Sequence, residues 1–110
     1  MYYYRITDVT LQSAYRLDCF GNFACEPANA DMTLEGTEEF PPEGNEICSG
    51  AIVHRKITNG WYFYPRIDKK TGLFISRDYS HLRIRGIKND DTVTGTAEWF
   101  VRIAVECMLI

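Results

Sequence analysis

The chain has 110 residues, 45% of them hydrophobic and 14% aromatic, which excludes a wholly disordered polypeptide and fits one domain spanning 1–110. Its formal net charge is −3, with 12 Lys and Arg against 15 Asp and Glu, so nucleic acid is not the expected partner. At this length roughly two-thirds of the unfolded surface is buried on folding, enough for a modest core.

The charges are unevenly placed. Glu26, Asp31, Glu35, Glu38, Glu39, Glu43 and Glu46 fall in a stretch without Lys or Arg, whereas 54–88 holds nine Lys and Arg against Asp68 and Asp78. Both stretches read as solvated faces that partly neutralise each other. The N-terminus, Met1-Tyr2-Tyr3-Tyr4-Arg5, does not resemble a secretory signal, and no apolar run reaches the length of about 18 residues that a membrane span needs. A cytoplasmic location and no membrane partner are expected. Cys19, Cys25, Cys48 and Cys107 form no C-x-x-C pair, and the only histidines are His54 and His81. That spacing does not suit a zinc site, so no metal or cofactor is expected and the cysteines read as packing residues or free thiols.

Residues 2–17 alternate apolar and polar side chains with period two and predict one or two half-buried strands. Asp18, Gly21, Asn22, Pro27, Asn29 and Asp31 break the period, so 18–31 reads as a loop. Met32–Gly36 reads as a short strand, and 37–46 as an exposed acidic loop around Pro41-Pro42. The middle carries the clearest signal. Ala51–Ile57 and Trp61–Tyr64 read as two strands, with Asn59-Gly60 supplying both positive-φ residues of a type I′ turn. Asp68–Gly72 predicts a turn, Leu73–Arg77 a strand, Asp78-Tyr79-Ser80 a break, and His81–Ile87 another strand. In that last strand Leu82 and Ile84 face the core, and Arg83 and Arg85 face solvent. Lys88-Asn89-Asp90-Asp91 reads as a closing turn.

From Thr96 the period becomes helical. Glu98, Arg102 and Glu106 form one narrow polar stripe that can pair along the helix. The rest of 99–110 is apolar, which predicts a buried helix, with Cys107 an inert buried thiol. The helix shows no C-cap and runs into Cys107-Met108-Leu109-Ile110. The expectation is that a partner covers this end or that the natural polypeptide continues. Trp99, Phe100, Ile103, Cys107, Met108, Leu109 and Ile110 are the candidate interface residues.

Little in the chain points to catalysis. No G-x-x-x-x-G-K-[ST] loop is present. A Cys–His nucleophilic pair has no local signature, and Glu38-Glu39 and Asp90-Asp91 fall in loops that make poor general acids. Trp61, Tyr62, Phe63 and Tyr64 with Arg66, Arg77, Arg83 and Arg85 could form a stacking surface for single-stranded nucleic acid. The overall acidity favours the plainer reading, in which Trp61 and Phe63 are core and the arginines are the wet face.

Gly72-Leu73-Phe74-Ile75-Ser76-Arg77-Asp78-Tyr79 and Ala97-Glu98-Trp99-Phe100-Val101-Arg102-Ile103-Ala104, with an opening Tyr4-Arg5-Ile6 strand, resemble the β-rich region that precedes the P-loop domain in bacterial HPr kinase-like (PEP-carboxykinase-like) proteins. The resemblance implies a non-catalytic accessory or recognition domain whose partner is a kinase-like domain in cis or in trans. It transfers no catalytic residue, because the kinase motifs would lie beyond Ile110. The alternative is a stand-alone homo-oligomeric binding module with the helix 96–110 as its interface. The expected fold is α+β: a predominantly antiparallel sheet of about six to eight strands with one C-terminal helix at about 96–110.

Overall fold

The computed structural model describes residues 1–41, 46–87, 92–93 and 95–109, the side chains of 47–49 and 109 excepted. Strands run at β1 (Tyr2–Ile6), β2 (Val9–Ser13), β3 (Arg16–Leu17), β4 (Met32–Gly36), β5 (Glu46–Ser49), β6 (Ile52–Ile57), β7 (Gly60–Pro65), β8 (Gly72–Ser76), β9 (His81–Arg85) and β10 (Thr92–Val93). A 3-10 segment covers Asp18–Phe23, and one helix, α1, covers Gly95–Leu109. No helix among the described residues is long and apolar enough to cross a membrane.

The α+β class and the single C-terminal helix agree with expectation, but the main sheet is mixed. Its eight strands run β1-β2-β4-β9-β8-β7-β6-β5, and the β2–β4 and β4–β9 pairings are parallel. β3 and β10 form a separate parallel pair. Parallel neighbours need a crossover of about a dozen residues or more, and the connection 14–31 supplies it between β2 and β4. Part of that connection, expected as plain loop, is the 3-10 segment, which buries Phe20. Glu46, expected in the acidic loop, begins the edge strand β5 against β6. Of the loop and turn expected at 37–46 and 88–91, residues 42–45 and 88–91 lie outside the described residues.

The central hairpin forms, but not through a type I′ turn at Asn59-Gly60. Ile57 pairs with Gly60, so the loop is Thr58-Asn59, and neither residue has positive φ. Gly60 sits within β7 opposite Ser76. A Cβ there would collide with the Ile75 carbonyl oxygen, so glycine serves a close strand approach rather than the turn.

Register sorts the side chains into two faces. One carries Tyr4, Ile6, Leu11, Met32, Leu34, Leu82, Ile84, Leu73 and Ile75, and α1 packs there against β8 and β2. Ala97, Phe100, Val101, Ala104 and Val105 are the helix's buried residues, at the three- and four-residue spacing of one face. Leu17 of β3 and Val93 of β10 are fully buried and close the core beside it. The other sheet face carries a smaller cluster of Val53, Tyr62, Tyr64 and Phe74.

Replacing Gly60 with alanine is expected to cost about 2–4 kcal/mol through the backbone clash between β7 and β8. Urea unfolding measures it, and a change below about 0.5 kcal/mol would contradict the assigned register.

Candidate functional site

The helix is not buried all round. Glu98, Arg102 and Glu106 form the expected polar stripe, with Arg102 and Glu106 3.9 Å apart. Glu98 does not complete the row of pairs. Its carboxylate accepts the Cys19 backbone N–H at 3.1 Å, which ties the first turn of α1 to the 3-10 segment. Between the polar stripe and the core face lies a third stripe, Trp99, Ile103 and Cys107. Trp99 is 46% exposed and Ile103 37%, and Cys107 is exposed as well.

That stripe faces the part of the sheet that α1 leaves uncovered. The two sides enclose an apolar groove of about 590 Å3. The helix contributes Trp99, Phe100, Ile103, Ala104 and Cys107, and the sheet contributes Ile52 and His54 of β6, Trp61 and Phe63 of β7, and Leu73 and Ile75 of β8. The volume lies in the range of small-molecule and cofactor sites, which are apolar with a few polar groups. Here the polar ring is His54, stacked on Phe63 with centroids 5.4 Å apart.

Tyr79 closes one end. It lies flat on Trp61, centroids 5.5 Å apart and planes 14° from parallel. Its backbone has φ 63, a left-handed conformation unusual for a large side chain. The adjoining turn explains how it is held. The Asp78 carboxylate accepts from the Ser76 hydroxyl at 2.8 Å, the Ser80 amide at 3.0 Å and the Ser80 hydroxyl at 2.7 Å. These bonds pull the Asp78 carboxyl down to about 2, the Ser80 hydroxyl contributing most. The Ser80 hydroxyl also meets His81 Nδ1 at 2.9 Å. This chain has serine between aspartate and histidine, whereas a nucleophilic triad needs histidine in the middle. It builds a turn.

Four candidate interface residues, Trp99, Phe100, Ile103 and Cys107, line the groove. Phe100 does so while 4% exposed. Met108 packs against the main core instead. The Leu109 side chain and Ile110 lie outside the described residues, as does the side chain of Cys48. Cys107 is not the buried thiol expected. The cysteine with a raised pKa is Cys19, pushed up to about 11 by burial and then by the Glu98 carboxylate beside it. Cys107 and His54 both line the groove, on its helix and sheet walls, and no hydrogen bond joins them. Cys19, Cys25 and Cys107 are free thiols.

The supposed stacking surface does not exist as one surface. Trp61 and Phe63 lie in the groove, while Tyr62 and Tyr64 are buried on the opposite face with Phe74. Arg85, expected to be solvated, is 8% exposed. Sequence reading missed both Arg85's burial and the role of Tyr79. The local signal for Arg85 was Gly72, its partner across β8–β9, whose missing side chain leaves the space that the Tyr62 phenol fills.

Comparison with family models, curated proteins and solved structures finds no match to this chain, and no relationship to HPr kinase-like proteins is identified.

The Asp78 turn has a pH signature. Its carboxyl titrates below the ordinary value of 3.8, so the stabilisation it brings is present above that value and lost as pH falls through about 2. Asp78→Asn is therefore expected to be less stable than the parent at pH 6 and to converge with it towards pH 2. Urea midpoints across that range measure this, and a constant difference would exclude a role for the charge.

Proposed function

We propose that this chain is a non-catalytic recognition domain whose binding surface is the groove between α1 and strands β6–β8. One observation carries the reading: the exposed apolar stripe Trp99–Ile103–Cys107 lies across from an uncovered apolar stretch of sheet, and together they form a single concavity. Scattered exposed apolar residues are ordinary on a folded surface, whereas a contiguous concave set marks a site for a ligand or partner. The occupant proposed is an apolar face of a protein partner, such as an amphipathic helix laid along the groove. Within the resemblance to HPr kinase-like proteins, a kinase-like domain in cis or in trans would supply that face. A cytoplasmic setting belongs to the same proposal, where Cys19, Cys25 and Cys107 would stay reduced.

A second reading rests on the same stripe: two copies of the chain pack α1 against α1. Sedimentation distinguishes the two. A dimer that becomes monomeric on Ile103→Asp supports self-association, whereas a monomer in both forms leaves the groove to another partner.

Intrinsic fluorescence reads the groove directly, because both tryptophans of the chain, Trp61 and Trp99, line it. Titration with a Leu-rich amphipathic helical peptide is expected to shift emission to the blue and to saturate. Ile103→Asp and Trp99→Ala are expected to weaken binding by about tenfold or more while changing stability by no more than about 1 kcal/mol, since both side chains are partly exposed in the unbound domain. Absence of a saturable shift, or tight binding of ATP by the chain alone, would refute the proposal.

A further inference from the structure

The sheet face opposite α1 holds a second cleft, of about 300 Å3, beside Phe40 and Pro41. Arg85 lies in it and is the one buried charged side chain among the described residues. The arginines with ionic partners are more exposed: Arg83 reaches Glu39 at 2.6 Å, Arg16 reaches Asp18 at 3.1 Å, Arg102 lies 3.9 Å from Glu106, and Arg55 is bonded to Glu46. Arg85 has no carboxylate among the described residues. Its Nη1 donates to the Tyr62 hydroxyl at 3.0 Å and to the Lys69 carbonyl at 3.2 Å, and its guanidinium lies 4.2 Å from the centroid of the Phe40 ring.

Neutral acceptors and a ring face offset only part of the cost of burying a cation. A guanidinium has five N–H donors, and those not used by Tyr62 and Lys69 have no acceptor among the described residues. No buried side-chain nitrogen there lacks a partner, so these donors are reached from the cleft. Lys69 lines the same cleft and adds a second positive charge. Arg55 and Glu46 also line it, but they answer each other. The Glu46 carboxyl is held below its ordinary value by the Arg55 hydrogen bond and then by the Tyr64 hydroxyl, so it stays ionised. A ligand therefore meets three positive charges, Arg85, Lys69 and Arg55, one negative charge, Glu46, that is paired with Arg55, and aromatic walls.

We propose that this cleft binds a small organic carboxylate. Its planar head takes the N–H donors of Arg85 with the Lys69 ammonium beside it, and its apolar body lies against Phe40. A carboxylate matches the guanidinium fork in shape. An organic monocarboxylate is favoured over a compact inorganic anion because the exposed Phe40 ring offers its body an apolar surface.

The test is a titration of the full chain with benzoate, acetate and inorganic phosphate at constant ionic strength. Arginine Nε–H and backbone amide resonances are followed by NMR. Benzoate is expected to give saturable shifts at Arg85 and Lys69, and to bind more tightly than acetate or phosphate. Lys69→Gln is expected to weaken benzoate about two- to fivefold, as for one partly exposed charge, and Glu46→Gln to strengthen it by a similar factor. Arg85→Gln is expected to abolish binding. Should that variant not fold, the Arg85 Nε–H resonance of the parent chain decides, since a merely structural Arg85 would show no saturable shift with benzoate. No saturable shift with benzoate, equal affinity in Lys69→Gln and Glu46→Gln, or tighter binding of phosphate than of benzoate would overturn the proposal.

Discussion

A 15-residue helix is roughly 22 Å long and about 10 Å across, whereas an eight-stranded sheet at about 4.8 Å per strand is roughly 34 Å wide. α1 is the one long helix among the described residues, and it must shield one face of that sheet. It settles over β8 and β2, the middle of the order, where Leu11, Leu73 and Leu82 make the deepest part of the core. Strands β5–β7 then lie beyond its reach. The groove is a consequence of this mismatch in width, and its apolar lining follows from the side chains of β6 and β7 that continue the core face outward.

The mismatch also gives meaning to the unusual breadth of the helix's apolar surface. A helix on a sheet needs one stripe for the core, which Ala97, Phe100, Val101, Ala104 and Val105 supply. Trp99, Ile103 and Cys107 are surplus to that purpose. They continue the apolar surface around the helix to meet the uncovered strands, so helix and sheet share one recess instead of exposing two unrelated patches. The Asp78 turn is fitted to the same recess, since it holds Tyr79 in a left-handed conformation over Trp61.

The opposite face follows a different rule. Under β1, β2 and β4 it is polar, while under β6–β8 it carries a small aromatic cluster that draws Arg85 inward. Stacking continues along β9, where Arg83 lies 4.5 Å from the centroid of the Phe74 ring and pairs with Glu39. The acidic and basic stretches of the chain thus do meet, through Glu39 with Arg83 and Glu46 with Arg55. Arg85 stands apart because it is buried without an acid among the described residues.

By itself the sequence determined what depends on neighbours along the chain. Period-two alternation placed most of the long strands, and the change of period at Thr96 placed the helix within a residue of its start. Even the identity of Gly60 was a true signal of the hairpin, though for a reason that lies in β8 and not in the turn. Tertiary structure decided everything that depends on which strands become neighbours. The parallel pairings of β4 with β2 and β9 join segments far apart in sequence, so no local pattern records them. Whether an apolar helix residue is core or groove depends on how far the sheet extends past the helix, and Cys107 and Met108, adjacent in sequence, fall on different sides of that line. Whether an arginine on the alternate face meets water depends on what covers it: Arg83 and Arg85 occupy equivalent positions in the pattern, and only the Tyr62 phenol and the Phe40 ring make Arg85 a buried charge.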